Sequence, residues 1–299
     1  MIEAVLLYLL TATSFTIGKA IYHYGAPHFF LGSRFVFTGA LLLGVYWLMR
    51  RGKKMALPRS DYLTFSFFII VFYFSFIFEL LALKNMDSSK AAFLYNLSPF
   101  FSIVFAYYYF SERITLKKMI GLCIGLLGFV PELITEGNTE LTTIFFLSRS
   151  EIFMFITVVA TVYGWALVRL LVKKGYSPLL INGVGMLGSG ILSLGVSGLQ
   201  ENWDPFPVWQ WGPFLYLTAL IVLCNDLGFY TIYSYLLKRY TTTFLSLAGL
   251  ATPLMTAGLG WIFLGEPISW SFVFSFIVVF VGLVLVYSEE LRQGYIVQK

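Results

Sequence analysis

The stretch SSKAAFLYNLSPFFSIVFAYYYFSERITLKKMIGLCIGLLGFV, residues 88–130, has a counterpart in TTFLSLAGLATPLMTAGLGWIFLGEPISWSFVFSFIVVFVGLV, residues 242–284. At a constant offset of 154 positions Pro99 pairs with Pro253, Glu112 with Glu266 and Gly128 with Gly282. Three landmarks at one spacing mark an internal duplication, and such self-similarity decides the architecture before any single element is read.

Both copies are strongly apolar, and so is the rest of the chain. Of 299 residues 59% are hydrophobic and 12% charged, against roughly 45–50% and about 25% in soluble domains. A mean hydropathy of +0.82 spread along the whole length excludes a signal peptide or a single anchor as its source. The bilayer must be the solvent for most of this chain. A crossing helix needs about 20 apolar residues at 1.5 Å rise. Ten windows qualify, at residues 3–22, 29–49, 63–83, 90–110, 116–135, 151–172, 178–198, 212–236, 243–264 and 270–287.

Ten crossings put both termini on one side. Sorted that way, 15 of the 20 Lys and Arg fall on the terminus side, three (Lys84, Lys90, Arg149) on the other, and Lys19 and Arg34 inside spans. Positive loops are cytoplasmic, and a missed span would scramble this split, so span count and orientation are inferred together. The net charge of +5 is thus a topology signal, with no nucleic-acid partner implied. Trp203, Trp209 and Trp211 fall in an outer loop, where an interfacial aromatic belt is expected.

Because five is odd, the second copy enters the membrane from the opposite side. The expected fold is an all-α polytopic membrane protein, its ten transmembrane helices forming two inverted five-helix repeats, residues 1–140 and 148–299, with both termini cytoplasmic. Inverted repeats with a solute site near the midplane, at their interface, are an architecture of secondary transporters.

A charge at the bilayer centre costs about 2.5–3.5 kcal/mol on the insertion scale, so each one needs a reason. Asp226, near the middle of the eighth span, follows Asn225, with Tyr230 and Tyr233 on the same face at i+4 and i+7. It is the candidate solute-amine anchor or proton carrier, set against a paired structural carboxylate. Lys19 and Glu79, both in the outer thirds of their spans, are a candidate ion pair. Arg34, a turn inside span 2, is expected to snorkel outward.

Pro99 and Pro253 each delete a helical N–H, and a freed carbonyl in a membrane needs a partner from protein, water or solute. Beside them stand Tyr95, Asn96 and Ser98, and Ser246, Gly249 and Thr252, the candidate pathway walls; a kink that only shapes packing is the alternative. Trp165 with Thr161 and Thr157 forms a polar-aromatic stripe suited to a flat or amphipathic solute. Gly121 and Gly125 form a GxxxG step for close helix approach, within the chain or between chains. Cys123 and Cys224 read as small core residues, and His23 and His28 as outer-loop histidines. HExxH, GxSxG and GxxxxGK[ST] are absent, and no metal or cofactor is expected.

The repeated endings, NLSPFFSIVFAYYYFSERIT with GLCIGLLG and GLATPLMTAGLGWIFLGEPIS with FVGLV, resemble the drug/metabolite transporter superfamily and its EamA-like ten-helix branch. The openings agree: FTIGKAIYHYGAPHFFLGSRF at 15–35 keeps Lys19, Pro27, Arg34 and Phe35 in the family's order, and GWALVRLLVKKGYSP at 164–178 resembles the start of the second copy. The resemblance implies a central cavity lined by helices 1, 3, 4, 6, 8 and 9, with helices 5 and 10 peripheral. Asp226 stands where a neutral residue is usual.

Together these readings point to a secondary carrier of the bacterial inner membrane, with the lipid bilayer and a small-molecule solute as partners and a proton as candidate coupling ion. The solute class is an amphipathic amine such as an amino acid or S-adenosylmethionine, which some bacterial members of that superfamily move. The alternatives are a membrane-embedded lipid-modifying enzyme and an ion channel. Oligomeric state stays open.

Overall fold

The computed structural model describes residues 2–49, 58–110, 115–128, 148–238, 245, 249 and 252–293. The regular structure among these residues is helical, and the one pairing of extended backbone among them is an isolated bridge between Gly25 and Val208. Helix α1 (Ile2–Ala20) runs into a 3-10 turn (Ile21–His23), followed by α2 (Pro27–Met49), α3 (Arg59–Leu83), α4 (Ser88–Tyr95), α5 (Ser98–Phe110) and α6 (Leu116–Leu127). The second half holds α7 (Arg149–Lys173), α8 (Pro178–Gln200), α9 (Trp211–Ile221), a π-helical stretch (Val222–Phe229), α10 (Tyr230–Leu236), α11 (Thr252–Leu264) and α12 (Trp270–Arg292).

Among the described residues six helical stretches are long and apolar enough to cross a bilayer: α2, α3, α7, α8, the continuous Trp211–Leu236, and α12 over Trp270–Glu289. The apolar window at 90–110 is divided between α4 and α5 at Asn96–Leu97, and the window at 243–264 is described as a helix from Thr252 onward. Glu112 and Ser246 lie outside the described residues.

Local chemistry sets the ends. Ser148 caps α7 through a reciprocal capping box: its hydroxyl accepts the Glu151 N–H at 3.2 Å and the Glu151 carboxylate accepts the Ser148 N–H at 2.6 Å, satisfying two otherwise orphaned donors. Ser269 caps α12 by accepting from Phe272 N at 3.0 Å. Pro178 opens α8, where its missing N–H costs nothing. Gly175, at φ +90°, ends α7 in the left-handed conformation that glycine alone adopts freely.

Small residues decide how the helices pair. Along α2 and α8, a Cβ added at Gly39 meets the Leu187 backbone nitrogen at 2.4 Å, and one at Gly190 meets Val36 N at 2.7 Å. These backbones touch, which is how helices associate when lipid removes the hydrophobic drive between them. The GxxxG step acts inside the chain: Gly121 packs on the Gly282 carbonyl of α12, while Gly125 accommodates the Phe100 ring. Helix α3 packs on α7, and α1 on α11.

One buried cluster gathers Phe35, Phe72, Phe76, Trp165, Phe229 and Tyr230, and a second gathers Phe93, Leu94, Met154, Ala257 and Val279. Outward the molecule presents large apolar side chains, with Leu63 82%, Leu199 88% and Trp270 88% exposed, a surface suited to acyl chains. Trp203 and Trp209, between α8 and α9, and Trp211, the first residue of α9, are all exposed. Two expectations change here. Cys123 is exposed and Cys224 half-buried, because α6 and the π-helical stretch turn those positions outward, where a thiol sits comfortably against lipid. His28 lies in the first turn of α2, 8% exposed, with Nδ1 3.3 Å from the Tyr73 hydroxyl.

Candidate solute cavity

The break between α4 and α5 creates the molecule's central space. Pro99 has no N–H to offer the Tyr95 carbonyl four residues back, so α4 ends at Tyr95 and Asn96 closes it with N–H bonds to Phe93 and Leu94 carbonyls. Around this point lies about 410 Å³ of empty space lined by Tyr8 and Thr11 of α1, Tyr95, Asn96 and Ser98, Thr161, Val162 and Trp165 of α7, Phe229 and Tyr233, Gly249 and Thr252. None of these twelve lining residues carries a formal charge. A second space of about 230 Å³ adjoins it, sharing Thr161 and Trp165 and adding Ser75, Phe72 and Tyr230.

Its walls are aromatic. Trp165 stacks on Tyr230 with centroids 5.1 Å apart and planes at 19°, and approaches Tyr233 at 4.0 Å and Phe229 at 6.3 Å. Tyr8 meets Phe229 edge-on at 6.0 Å and donates its hydroxyl to the Leu245 carbonyl. Polar capacity is left over between the rings. Asn96 Nδ2 at the wall has no hydrogen-bond partner among the described residues, nor have Thr157 Oγ1 and Thr256 Oγ1, which line neither space, and an unmet buried donor costs about 1–3 kcal/mol unless something pairs with it. Ser75 and Thr161 hydroxyls sit 2.5 Å apart, tying α3 to α7 at the wall.

Asn225 and Asp226 ride on the π-helical stretch, a widened turn that often marks a functional position. Both are fully enclosed, at 2% and 0% exposure, and neither is among the residues lining the two spaces. Asp226 faces Arg34 instead, with Oδ2 3.9 Å from Nε. Thr38 stands beside the carboxylate but gives its proton to the Arg34 carbonyl at 2.8 Å. The guanidinium rests on the rings of Phe30, Phe35 and Phe76 at 4.9, 4.8 and 5.5 Å, an arrangement that compensates a desolvated cation. Arg34 therefore does not snorkel: at 2% exposure it turns inward, since the α2–α8 glycine seam leaves it a face toward α3 and the π turn. Glu79 of α3 is half-buried and lines neither space.

The Lys19–Glu79 pair expected from sequence is replaced by another. Lys19 Nζ reaches Asp87 Oδ1 at 2.6 Å and Glu266 Oε1 at 2.7 Å. Glu266 also accepts from Ser88 N at 2.9 Å and Ser88 Oγ at 2.5 Å, so an acid from the α11–α12 junction sits on the positive end of α4. Gly265 at φ +67° turns the chain back, and Gly260 leaves the room: a Cβ there would lie 2.4 Å from Glu266 Oε2. One knot thus ties α1, α4 and the α11–α12 junction at a single end of the bundle. Glu266→Ala is expected to cost about 1.5–3 kcal/mol, the range for hydrogen bonds to a charged group, read as a lowered thermal-unfolding midpoint in detergent. An unchanged midpoint removes the knot from the list of stabilising contacts.

A protein-family model described as the EamA-like transporter family matches residues 1–130 and 148–288. The chain belongs to the EamA-like transporter family. As an EamA-like protein it has full-length relatives: it is 32% identical over 289 residues to a protein of Chlamydia muridarum named S-adenosylmethionine/S-adenosylhomocysteine transporter, covering 95% of this chain and 90% of that one. A protein of the same name from Chlamydia trachomatis serovar L2 is 32% identical over 291 residues, covering 95% and 88%. Protein PagO of Salmonella typhimurium is 29% identical over 116 residues, 38% of this chain. A solved crystal structure, 16% identical, superposes with a TM-score of 0.68 over 96% of this chain and 97% of that one, a likeness of fold.

In this EamA-like chain eight of the sequence-read residues meet at the cavity: Tyr95, Asn96, Ser98, Thr161, Trp165, Tyr233, Gly249 and Thr252. Tyr230 lines the adjoining space. Pro99 lies in the first turn of α5 and Pro253 in that of α11. Tyr8, Thr11 and Phe229 were not singled out by sequence. Tyr8 and Thr11 share a helix face at i, i+3, a polar pair that a search for charged residues passes over.

Proposed function

We propose that this protein carries S-adenosylmethionine and S-adenosylhomocysteine across the inner membrane of a bacterium by alternating access. The observation that carries the reading is the charge-free aromatic cavity at the α4–α5 break. A flat adenine stacks against the ring faces of this wall, a sulfonium is attracted by them at about 0.5–2 kcal/mol each, and the unpaired Asn96 amide, with Ser98 and Thr252 beside it, answers the ribose and amino-acid ends. The printed names of the full-length relatives support it. Asn225 and Asp226, with Arg34, shape the wall behind Tyr230, and Lys19 and Glu266 close one end.

The architecture of this proposal is ten crossings in two inverted five-helix repeats, residues 1–140 and 148–299, with both termini cytoplasmic. The pairing of helices supports it. Helix α2 packs on α8 and α6 on α12; α1 packs on α11 as α7 packs on α4 and α5; α3 packs on α7 as α1 packs on the π stretch. Each relation is one repeat's contact repeated with the halves exchanged. Such symmetry provides two equivalent rocked states around one midplane site.

Trp165→Ala is expected to reduce saturable uptake of S-adenosylmethionine into proteoliposomes at least about tenfold, the effect of 1.4 kcal/mol, while Trp165→Phe keeps most of it. Uptake of free amino acids with none of adenosylated solutes redirects the substrate assignment. Current through a planar bilayer replaces the carrier with a channel, and consumption of lipid by the purified protein replaces it with an enzyme.

A further inference from the structure

Two helices begin at the wall of the cavity, and a third ends there. Ser98 opens α5 and Thr252 opens α11, each helix 13 residues long with proline at its second position, and both residues line the space. They stand 154 positions apart, the offset of the internal duplication, so each copy contributes one hydroxyl and one helix start. Helix α4 ends at Tyr95 on the same wall, where Pro99 offers no N–H to the Tyr95 carbonyl. A helix start carries about +0.5 of a charge and a helix end about −0.5. Asn96 and Leu97 alone separate the end of α4 from the start of α5, so partial charges of both signs lie side by side in a cavity whose lining has no formal charge.

A second observation says what the positive side takes. Asn96 is 3% exposed and lines the space, and its amide Nδ2 has no hydrogen-bond partner among the described residues. Other hydroxyls of the wall are engaged: Tyr8 donates to the Leu245 carbonyl, Thr11 to the Leu7 carbonyl, and Thr161 pairs with Ser75. Most of the remaining wall is aromatic, and ring faces attract cations and repel anions. An anionic group therefore has its favourable place at Asn96, Ser98 and Thr252, and a cation bonded close to that anion finds the end of α4 beside it.

We infer that the α4–α5 break, with the start of α11, is a clamp for an α-amino acid: the carboxylate sits on Asn96 Nδ2 and the helix starts at Ser98 and Thr252, and the ammonium at the end of α4. This rests on the proposed function and deepens it by fixing which end of the solute lies where, with the adenosyl group on the Trp165 side. S-adenosylmethionine and S-adenosylhomocysteine share this amino-acid end, so the clamp admits both. An adenosyl compound without the carboxylate leaves Asn96 Nδ2 unpaired and is disfavoured. Helix starts facing an anionic solute group suit a site at a repeat interface, and here one start comes from each copy.

The test is competition for uptake of labelled S-adenosylmethionine into proteoliposomes bearing the full chain, with no membrane potential imposed. The competitors are unlabelled S-adenosylmethionine and its decarboxylated form, which keeps the adenosyl group, the sulfonium and the amine. With the wild type the decarboxylated form is expected to compete about 10- to 150-fold more weakly, the loss of one hydrogen bond to a charged group. Asn96→Asp places a fixed anion where the carboxylate binds and is expected to reverse the preference, a result that a merely structural role for Asn96 does not produce. Asn96→Leu is expected to remove most of the difference between the two competitors. Equal competition by both with the wild type overturns the inference by itself, whether or not the variants fold, and leaves the substrate reading standing. A wild-type preference that persists unchanged in Asn96→Asp or Asn96→Leu moves the carboxylate away from the break and overturns it too. Absence of any uptake of S-adenosylmethionine overturns the substrate reading, and this inference with it.

Discussion

Arg34→Leu is expected to be among the most damaging single substitutions in the protein, costing about 3–5 kcal/mol, the penalty for stranding one member of a buried ion pair. Asp226 is wholly enclosed, and among the described residues both its oxygens lack a hydrogen-bond partner and the guanidinium 3.9 Å away is its one close cation. Leucine restores most of the volume against Phe30, Phe35 and Phe76, so the loss is electrostatic more than steric. The double variant Arg34→Leu, Asp226→Leu removes the stranded charge and is expected to recover most of the midpoint, since apolar replacement of a buried pair is often neutral or stabilising. Unfolding midpoints in detergent read both. If the double variant is as unstable as the single one, the loss comes from the ring contacts and the pairing with Asp226 contributes little.

That pair also shows where sequence reading stops. Composition and hydropathy identified Arg34 and Asp226 as costly charges, and the Asn225–Asp226 position inside an apolar run marked it for attention. Nothing in the sequence says that residues 192 positions apart face each other, because pairing across helices depends on rotation about each axis. The π-helical widening at Val222–Phe229 shifts that rotation, and its sequence, VLCNDLGF, has no proline or repeated glycine to announce it. The same limit explains Lys19. Glu79 and Lys19 matched in depth, but Gly265 and Gly260 bring Glu266 back onto the α4 end, and a fully enclosed acid on a helix N-terminus makes the better partner.

Features written as local breaks were legible. Pro99 ends one helix and begins another, and the residues quoted beside it, Tyr95, Asn96 and Ser98, line the cavity. The stripe of Thr161 and Trp165 on α7 lines it too. The repeated Pro, Glu and Gly landmarks led to the family that the chain belongs to. Tyr8 and Phe229 were illegible for the opposite reason: in a chain that is 19% aromatic, ring identity carries little positional information until the helices are packed.

Packing also produces the second large effect. Gly39→Ala is expected to destabilise the protein by about 1–3 kcal/mol, the range for overfilled contacts, although alanine is favoured over glycine within a helix by up to about 1 kcal/mol. Steric contact wins because the new methyl would lie 2.4 Å from Leu187 N and 2.8 Å from its Cα, and backbone atoms of a helix cannot rotate away as a side chain does. Gly44, five residues further along α2, provides the contrast: it is exposed, and a Cβ there meets nothing within 4 Å. Gly44→Ala is therefore expected to hold or slightly raise the midpoint through propensity alone. Opposite signs for one chemical change on one helix isolate the α2–α8 contact from any general effect of removing glycine. Equal midpoints for the two variants would mean that the seam relaxes freely, and that the close approach of these backbones is not what joins the two halves.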